Sequence, residues 1–108
     1  YMSRGFRHIR VQVGVPGMAG YGARGAGTGA QALHRGPVFE PAAYIRRALK
    51  LFEECRKQLG DEIELCHDTH ERIHPTQALQ FCKDVEQFKL FFLEDPVSPE
   101  DIAWFRLF

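Results

Sequence analysis

Helix-type and strand-type apolar patterns alternate along the second half of the chain, and this alternation limits the fold more than any other feature. Residues 41–59 carry one apolar stripe at helical spacing, with Pro41 in the first turn and Gly60 just past the end. A short apolar run over 62–67 predicts a strand, 75–87 a second helix and 89–93 a second strand. Alternating helices and apolar strands are typical of parallel βα units whose sheet is covered by helices on at least one face.

The chain before residue 40 has a different composition. Residues 8–13 alternate apolar and polar side chains as a strand does, and the glycine-rich segment 14–40 is predicted to be a long loop or lid. Residues 1–39 contain five arginines and no acid, a local charge of +5, whereas the remainder carries −5, so the net charge is zero. A neutral chain argues against a nucleic-acid partner, and no apolar run is long enough for a membrane span.

Two smaller predictions concern the chain end and the thiols. Ser98 is predicted to cap a last helix, with Pro99 at its first position and Ile102 and Phe105 on its buried side. The three cysteines have no close spacing, which favours buried reduced thiols in a cytoplasmic protein. The abrupt start and end of the sequence lead us to expect a piece of a longer protein.

Two carboxylates stand where predicted strands give way to loops. Asp68 and Glu94 are 26 residues apart, about one βα repeat, so they are expected to emerge at the same edge of a parallel sheet on neighbouring strands. Hard divalent cations such as Mg²⁺ prefer such oxygen ligands. The alternative is that the two acids are helix caps or solvated loop charges. Asp95, followed by Pro96, is a more natural turn residue than ligand.

The segment 70–74 is a literal match to the H-E-x-x-H motif of zinc proteases. That motif requires both histidines on one face of a helix. Pro75 disfavours helical geometry at His74 and is itself a good first residue of a helix. The segment is therefore predicted to be a loop that leads into the second helix, and the zinc interpretation is disfavoured.

Arg10 and Gln12 lie on the polar side of the first predicted strand. They could face water on an edge strand. If the strand instead belongs to a barrel, they point into its mouth and become candidates for binding an anion.

Three separated motifs together are similar to the D-mannonate dehydratase branch of the enolase superfamily. They are Leu-Cys-His-Asp-Thr-His-Glu-Arg at 65–72 followed by Pro75, Phe-Phe-Leu-Glu-Asp-Pro at 91–96, and Ile-Arg-Val-Gln-Val-Gly-Val-Pro-Gly at 9–17. The resemblance runs through nearly the whole chain. It implies an α/β fold, a partial (β/α) TIM-type barrel of about three βα units, with the strand 8–13, the lid 14–40 and βα units over 41–108.

The resemblance also implies a site. Asp68 and Glu94 would be two of three Mg²⁺ ligands, and His70 the acid that assists departure of the 3-hydroxyl group. Tyr21, carried by the lid and paired with Arg10, would remove the proton next to the substrate carboxylate. A neighbouring arginine favours the phenolate, which makes tyrosine a better base, and Mg²⁺ would stabilise the enediolate as a Lewis acid.

The expected activity is therefore Mg²⁺-dependent dehydration of D-mannonate to 2-keto-3-deoxygluconate. Two alternatives stay open: dehydration of another sugar acid such as gluconate, and a non-catalytic or regulatory homologue of the same fold. The resemblance further implies that the third metal ligand, the remaining strands and a capping domain lie outside these 108 residues, and that the parent protein is a homo-oligomer. The isolated chain is expected to be inactive.

Overall fold

The computed structural model describes residues 1–14 and 39–108, and within them a small parallel sheet lies at the centre of the fold. Its strands are β1 (His8–Arg10), β2 (Glu64–Asp68) and β3 (Phe92–Glu94), in the spatial order β1-β2-β3. Both neighbouring pairs are parallel. The predicted α/β class, a partial TIM-type barrel, is confirmed.

Two α-helices connect these strands. Helix α1 (Pro41–Leu59) has the predicted bounds and ends at Gly60, whose φ of 68° favours glycine. Helix α2 (Pro75–Val85) continues into a single 3-10 turn, Glu86–Phe88. Two further short 3-10 helices cover Met2–Arg4 and Ile102–Arg106.

The strands are shorter than predicted. β1 ends at Arg10 rather than at residue 13, although one more ladder bond follows it, from the Val11 N–H to the Cys66 carbonyl oxygen (2.9 Å). β3 begins at Phe92 rather than at residue 89. The reason is that Lys89 adopts a left-handed conformation (φ 48°) at the end of the 3-10 turn, so the chain becomes extended only after it.

The predicted helix after Ser98 is wrong. The Ser98 hydroxyl donates to the Glu100 carboxylate instead of capping a helix, and the chain forms only the 3-10 helix at 102–106. Ile102 is 71% exposed and Phe105 is also exposed, so neither is on a buried side. Trp104 is the residue of this segment that packs against the core.

The two faces of the sheet differ in what they contact. Strand pairing places Arg10 beside Cys66 and Asp68 beside Glu94, on the face away from the helices. The opposite face carries His67, whose ring lies within 5.0 Å of the Phe52 ring of α1, measured between centroids.

The core lies between the helices and that second face. Its fully buried members come from both helices and include the aromatic rings of Tyr44, Phe52 and Phe81 together with Ala48 and Ala78. Ala48, Phe52 and Ala78 belong to the predicted helical stripes, whereas Tyr44 and Phe81 were not assigned to them. Leu65 of β2 is also fully buried.

Arg56, near the end of α1, joins the helix to the segments that precede two strands. Its guanidinium donates to the carbonyl oxygens of Phe88 (2.7 Å), Ile63 (2.6 Å), Lys89 (2.7 Å) and Gly60 (3.0 Å). One side chain therefore joins four backbone carbonyls at the amino end of the sheet and holds that end together.

The cysteines are free, as predicted, but only Cys66 is buried, whereas Cys55 and Cys82 are half-buried. Burial raises the pKa of Cys82 from 9.0 to about 11. Within 1–14 and 39–108, no helix is both long and apolar enough to cross a membrane.

Candidate metal and acid-base site at the carboxyl end of the sheet

Asp68 is the centre of a polar cluster at the carboxyl end of the sheet. It is the last residue of β2, and its side chain is only 2% exposed. Its carboxylate forms ion pairs with Arg10 and with the imidazole of His70, and it accepts from the His70 backbone N–H (3.0 Å). A nearly buried carboxylate therefore lies between two side chains that can carry positive charge.

Glu94 completes the pair of acids. It is the last residue of β3 and stands opposite Asp68 in the strand register. The guanidinium of Arg10 reaches it as well, with Nη2 3.4 Å from Glu94 Oε2. The structure thus brings together three predicted site residues from three adjacent strands, and one cation bridges the two carboxylates.

Gln12 also joins this cluster. With its amide oriented to satisfy both ends, the nitrogen donates to the Asp68 carbonyl oxygen (3.2 Å) and the oxygen accepts from Arg10 Nε (3.2 Å). Arg10 and Gln12 therefore both lie against Asp68, although Arg10 stays 40% exposed. Tyr21, the predicted base, lies outside the described residues.

The loop after Asp68 has an unusual backbone. His70 and Glu71 both have positive φ, 56° and 54°, and so does Asp95 (44°) in the loop after β3. The two loops are joined because the Glu71 N–H donates to the Asp95 carbonyl oxygen (2.9 Å). Non-glycine residues adopt this conformation at a cost, and such strain is concentrated at functional sites.

The same geometry excludes the zinc-protease interpretation of 70–74. His70 and Glu71 lie in a loop, and His74 is extended (ψ 144°) as the N-cap of α2. Its Nδ1 accepts from the Thr76 N–H (3.3 Å), while Gln77 Oε1 accepts from the His74 N–H (3.2 Å). His74 is therefore a helix cap, a role that the sequence analysis did not assign to it.

His67 is a polar residue that the sequence analysis missed. It lies in β2 but points into the core, where it is fully buried. Its Nδ1 lies 2.7 Å from the Val11 carbonyl oxygen and its Nε2 lies 2.7 Å from the Tyr44 hydroxyl. Burial lowers the pKa of His67. Because a carbonyl can only accept, Nδ1 carries the proton, and neutral Nε2 accepts from Tyr44.

The signal for His67 was present in the sequence. A histidine inside an otherwise apolar strand must find partners for both ring nitrogens when it is buried. What the sequence does not give is the partners, which lie on β1's extension and on α1.

The donor chemistry of the site suits a hard cation. Asp68 and Glu94 offer carboxylate oxygens, and the place between them already accepts the positive charge of Arg10. Within the described parts of the chain, no group of three or more metal-binding side chains is assembled. The described residues thus supply two candidate metal ligands, the carboxylates of Asp68 and Glu94.

Residues 1–107 match the protein family described as Enolase C-terminal domain-like. The chain belongs to this family. Relatives include a D-galactonate dehydratase family member of Enterococcus gallinarum, 38% identical over 97% of the chain and 25% of the relative. Another, from Streptomyces sp. (strain SPB074), is 43% identical over 94% of the chain and 24% of the relative. The enolase-family chain thus spans about a quarter of the length of these relatives.

Solved structures agree with this membership. An enolase from Pantoea ananatis with bound D-gluconate and Mg superposes with a TM-score of 0.78 at 36% identity, over 98% of this chain and 29% of that one. A racemase from Streptomyces coelicolor with bound magnesium shares the fold (TM-score 0.62, 18% identity) over 95% of this chain and 21% of that one. The relatives carry a D-galactonate name, so the enolase superfamily is supported while D-mannonate is not singled out.

Proposed function

We propose that the full-length protein containing this chain is a Mg²⁺-dependent acid-sugar dehydratase. The observation that carries the proposal is the pairing of Asp68 with Glu94 at adjacent strand ends, with His70 beside them. In α/β barrels this end of the sheet is where catalytic sites lie. The dehydratase names of the relatives and the D-gluconate in the Pantoea ananatis enzyme support the same class.

Asp68 and Glu94 would hold the metal ion, with a third ligand supplied by a later strand. When bound, Mg²⁺ supplies Lewis-acid stabilisation of the negative charge that develops on the substrate carboxylate. Asp68 and Glu94 would hold the Mg²⁺ ion at the carboxyl end of the sheet. Their own charges are partly balanced by Arg10.

His70 would protonate the leaving 3-hydroxyl group. Its side chain is 45% exposed, so a substrate can reach it, and its Nδ1 is held by Asp68. Imidazole is a common general acid in enzymes and suits this step. Loss of the proton at carbon 2 and departure of the protonated 3-hydroxyl group as water give an enol that becomes the 2-keto-3-deoxy acid.

Tyr21 and Arg10 would remove the proton at carbon 2. Arg10 is at the site and half-exposed, with its guanidinium among the carboxylates. A tyrosine brought beside it would have its phenolate stabilised by the positive charge. This role of Tyr21 stays a prediction from the family resemblance.

For the substrate, we propose D-mannonate, converted to 2-keto-3-deoxygluconate. D-gluconate is the second candidate, favoured by the ligand of the Pantoea ananatis structure. The two acids differ in configuration at carbon 2, so the position of the base relative to that carbon decides between them. A non-catalytic homologue is the remaining alternative.

We also propose that residues 1–108 are part of the C-terminal barrel domain of a longer, homo-oligomeric cytoplasmic protein with a capping domain. Several large apolar side chains are exposed, among them Phe92 of β3, which is 44% exposed on the sheet face away from the helices. Further barrel strands would cover such a face.

The test is turnover of a panel of sugar acids by the full-length protein with Mg²⁺, followed by detection of 2-keto-3-deoxy acids. We expect product from D-mannonate or D-gluconate and none after chelation of the metal. Failure to dehydrate any sugar acid of the panel would contradict the proposal. The isolated 108-residue chain is expected to form no measurable product.

A further inference from the structure

The proposed mechanism leaves His67 without a role, although it directly precedes Asp68 and is fully buried. Its imidazole connects three elements. Nδ1 donates to the Val11 carbonyl oxygen just past β1, and Nε2 accepts from the Tyr44 hydroxyl of α1, each over 2.7 Å. A single side chain of β2 therefore ties β1 and α1 to the strand that ends in Asp68.

The contact to Val11 matters because of what flanks that residue. Arg10 and Gln12 stand on either side of Val11, and both contact Asp68. The Val11 N–H donates to the Cys66 carbonyl oxygen (2.9 Å), and the Val11 carbonyl oxygen accepts from His67. Both backbone polar groups of Val11 are therefore bonded to β2. The backbone position from which Arg10 departs is thereby fixed relative to the carboxylates.

We propose that His67 is a positioning residue of the dehydratase site: its imidazole holds β1 against β2 at Val11, so that Arg10 reaches Asp68 and Glu94. This inference rests on the proposed function, in which Arg10 assists proton abstraction. A misplaced Arg10 would slow the chemical step and leave substrate binding nearly unchanged. Displacements on the order of 1 Å at a reacting group reduce turnover by about 10²-fold.

The two ring nitrogens can be tested separately in the full-length protein. In His67→Asn the amide nitrogen takes the place of Nδ1 and keeps the donor to Val11. In His67→Gln the longer side chain reaches toward Tyr44 and leaves the Val11 carbonyl without a donor. Tyr44→Phe removes only the hydroxyl group and serves as the matched control on α1.

We expect His67→Gln to lower kcat by about 10²-fold with KM within about twofold of wild type. His67→Asn is expected to retain most of the kcat, and Tyr44→Phe to leave it unchanged. An unchanged kcat in folded His67→Gln overturns the proposal. Where His67→Gln does not fold, a large loss of kcat in folded His67→Asn overturns it instead.

Hydrogen exchange at the Val11 amide separates this inference from the proposed function. Exchange is expected to accelerate in His67→Gln and not in Tyr44→Phe, whether or not the protein turns over a sugar acid. A wild-type protein that dehydrates none of the panel contradicts the proposed function, and Val11 exchange then decides the positioning claim alone. Equal Val11 exchange in His67→Gln and wild type overturns the positioning claim.

Discussion

The two ends of the three-stranded sheet use charge in opposite ways. At the carboxyl end, Asp68 and Glu94 bring negative charge together, and Arg10 and His70 surround it. At the amino end, Arg56 donates to four backbone carbonyl oxygens of neighbouring segments. The charged side chains at the carboxyl end contact one another and are able to contact a ligand. The charge of Arg56 at the amino end is bound to backbone carbonyl oxygens.

The two ends of the sheet also differ in how many non-glycine residues have a left-handed backbone. The loops at the carboxyl end hold His70, Glu71 and Asp95 in this conformation, and the amino end holds Lys89. In α/β barrels the carboxyl end serves chemistry and the amino end serves stability. The difference therefore predicts that substitutions at one end change activity without much change in stability, and substitutions at the other end do the reverse.

The largest effect is expected from His70→Asn. Asparagine tolerates the left-handed backbone of this position, so the fold should persist, but it cannot donate a proton to a leaving hydroxyl group. Loss of a general acid costs about 10²–10⁴-fold in kcat. Turnover of the preferred sugar acid by the full-length protein measures this.

The matched control is His74→Asn in the same motif. Asparagine is a good N-cap, so α2 keeps its cap and kcat is expected to stay within about twofold of wild type. Equal losses of kcat in the two variants would contradict the assignment of the acid to His70.

At the amino end, Arg56→Ala is expected to lower the free energy of unfolding by about 2–4 kcal/mol. The substitution leaves several carbonyl oxygens without their charged donor, and each such loss costs about 1–3 kcal/mol, reduced here by partial access of water. Urea unfolding of the full-length protein measures the change, and KM for the sugar acid should not move. Arg47→Ala, on the exposed side of α1, should stay within about 0.5 kcal/mol. An equally large loss of stability in Arg47→Ala would contradict the claim that the Arg56 hydrogen bonds stabilise the amino end of the sheet.

A smaller effect is expected from relieving a left-handed residue at each end of the sheet. Glu71→Gly relieves a left-handed residue and is expected to raise the free energy of unfolding by about 0.5–1 kcal/mol, while kcat falls because His70 becomes less ordered. Lys89→Gly should give a similar gain in stability with no change in kcat. If both variants keep full activity, the left-handed loop has no part in orienting His70.

The smallest effect concerns Cys82 of α2, at neither end of the sheet. Its pKa is raised by burial from 9.0 to about 11, so the native state favours the thiol. The resulting stabilisation is present below pH 9 and is lost as pH rises toward 11. The urea midpoint of unfolding should therefore fall less between pH 8 and pH 10 in Cys82→Ala than in wild type. An identical fall in both proteins would contradict the raised pKa.

Local patterns predicted the helices well and the site geometry in outline. Pro41 and Gly60 marked the two ends of α1, and the spacing of Asp68 and Glu94 placed them on neighbouring strands. The partners of His67, and the contacts of Arg56 with Phe88 and Lys89, were not predictable, because they join segments more than 20 residues apart. The Ser98 prediction failed because a nearby carboxylate, Glu100, competes for the hydroxyl group that would cap a helix.

The central claim is that the carboxyl end of the sheet binds Mg²⁺ through Asp68 and Glu94, and titration calorimetry of the full-length protein tests it most directly. We expect Mg²⁺ binding in wild type, a loss of at least about tenfold in affinity in Asp68→Asn and Glu94→Gln, and wild-type affinity in Asp95→Asn. The last variant changes the neighbouring carboxylate and keeps the left-handed backbone. Unchanged Mg²⁺ affinity in both Asp68→Asn and Glu94→Gln would contradict the account.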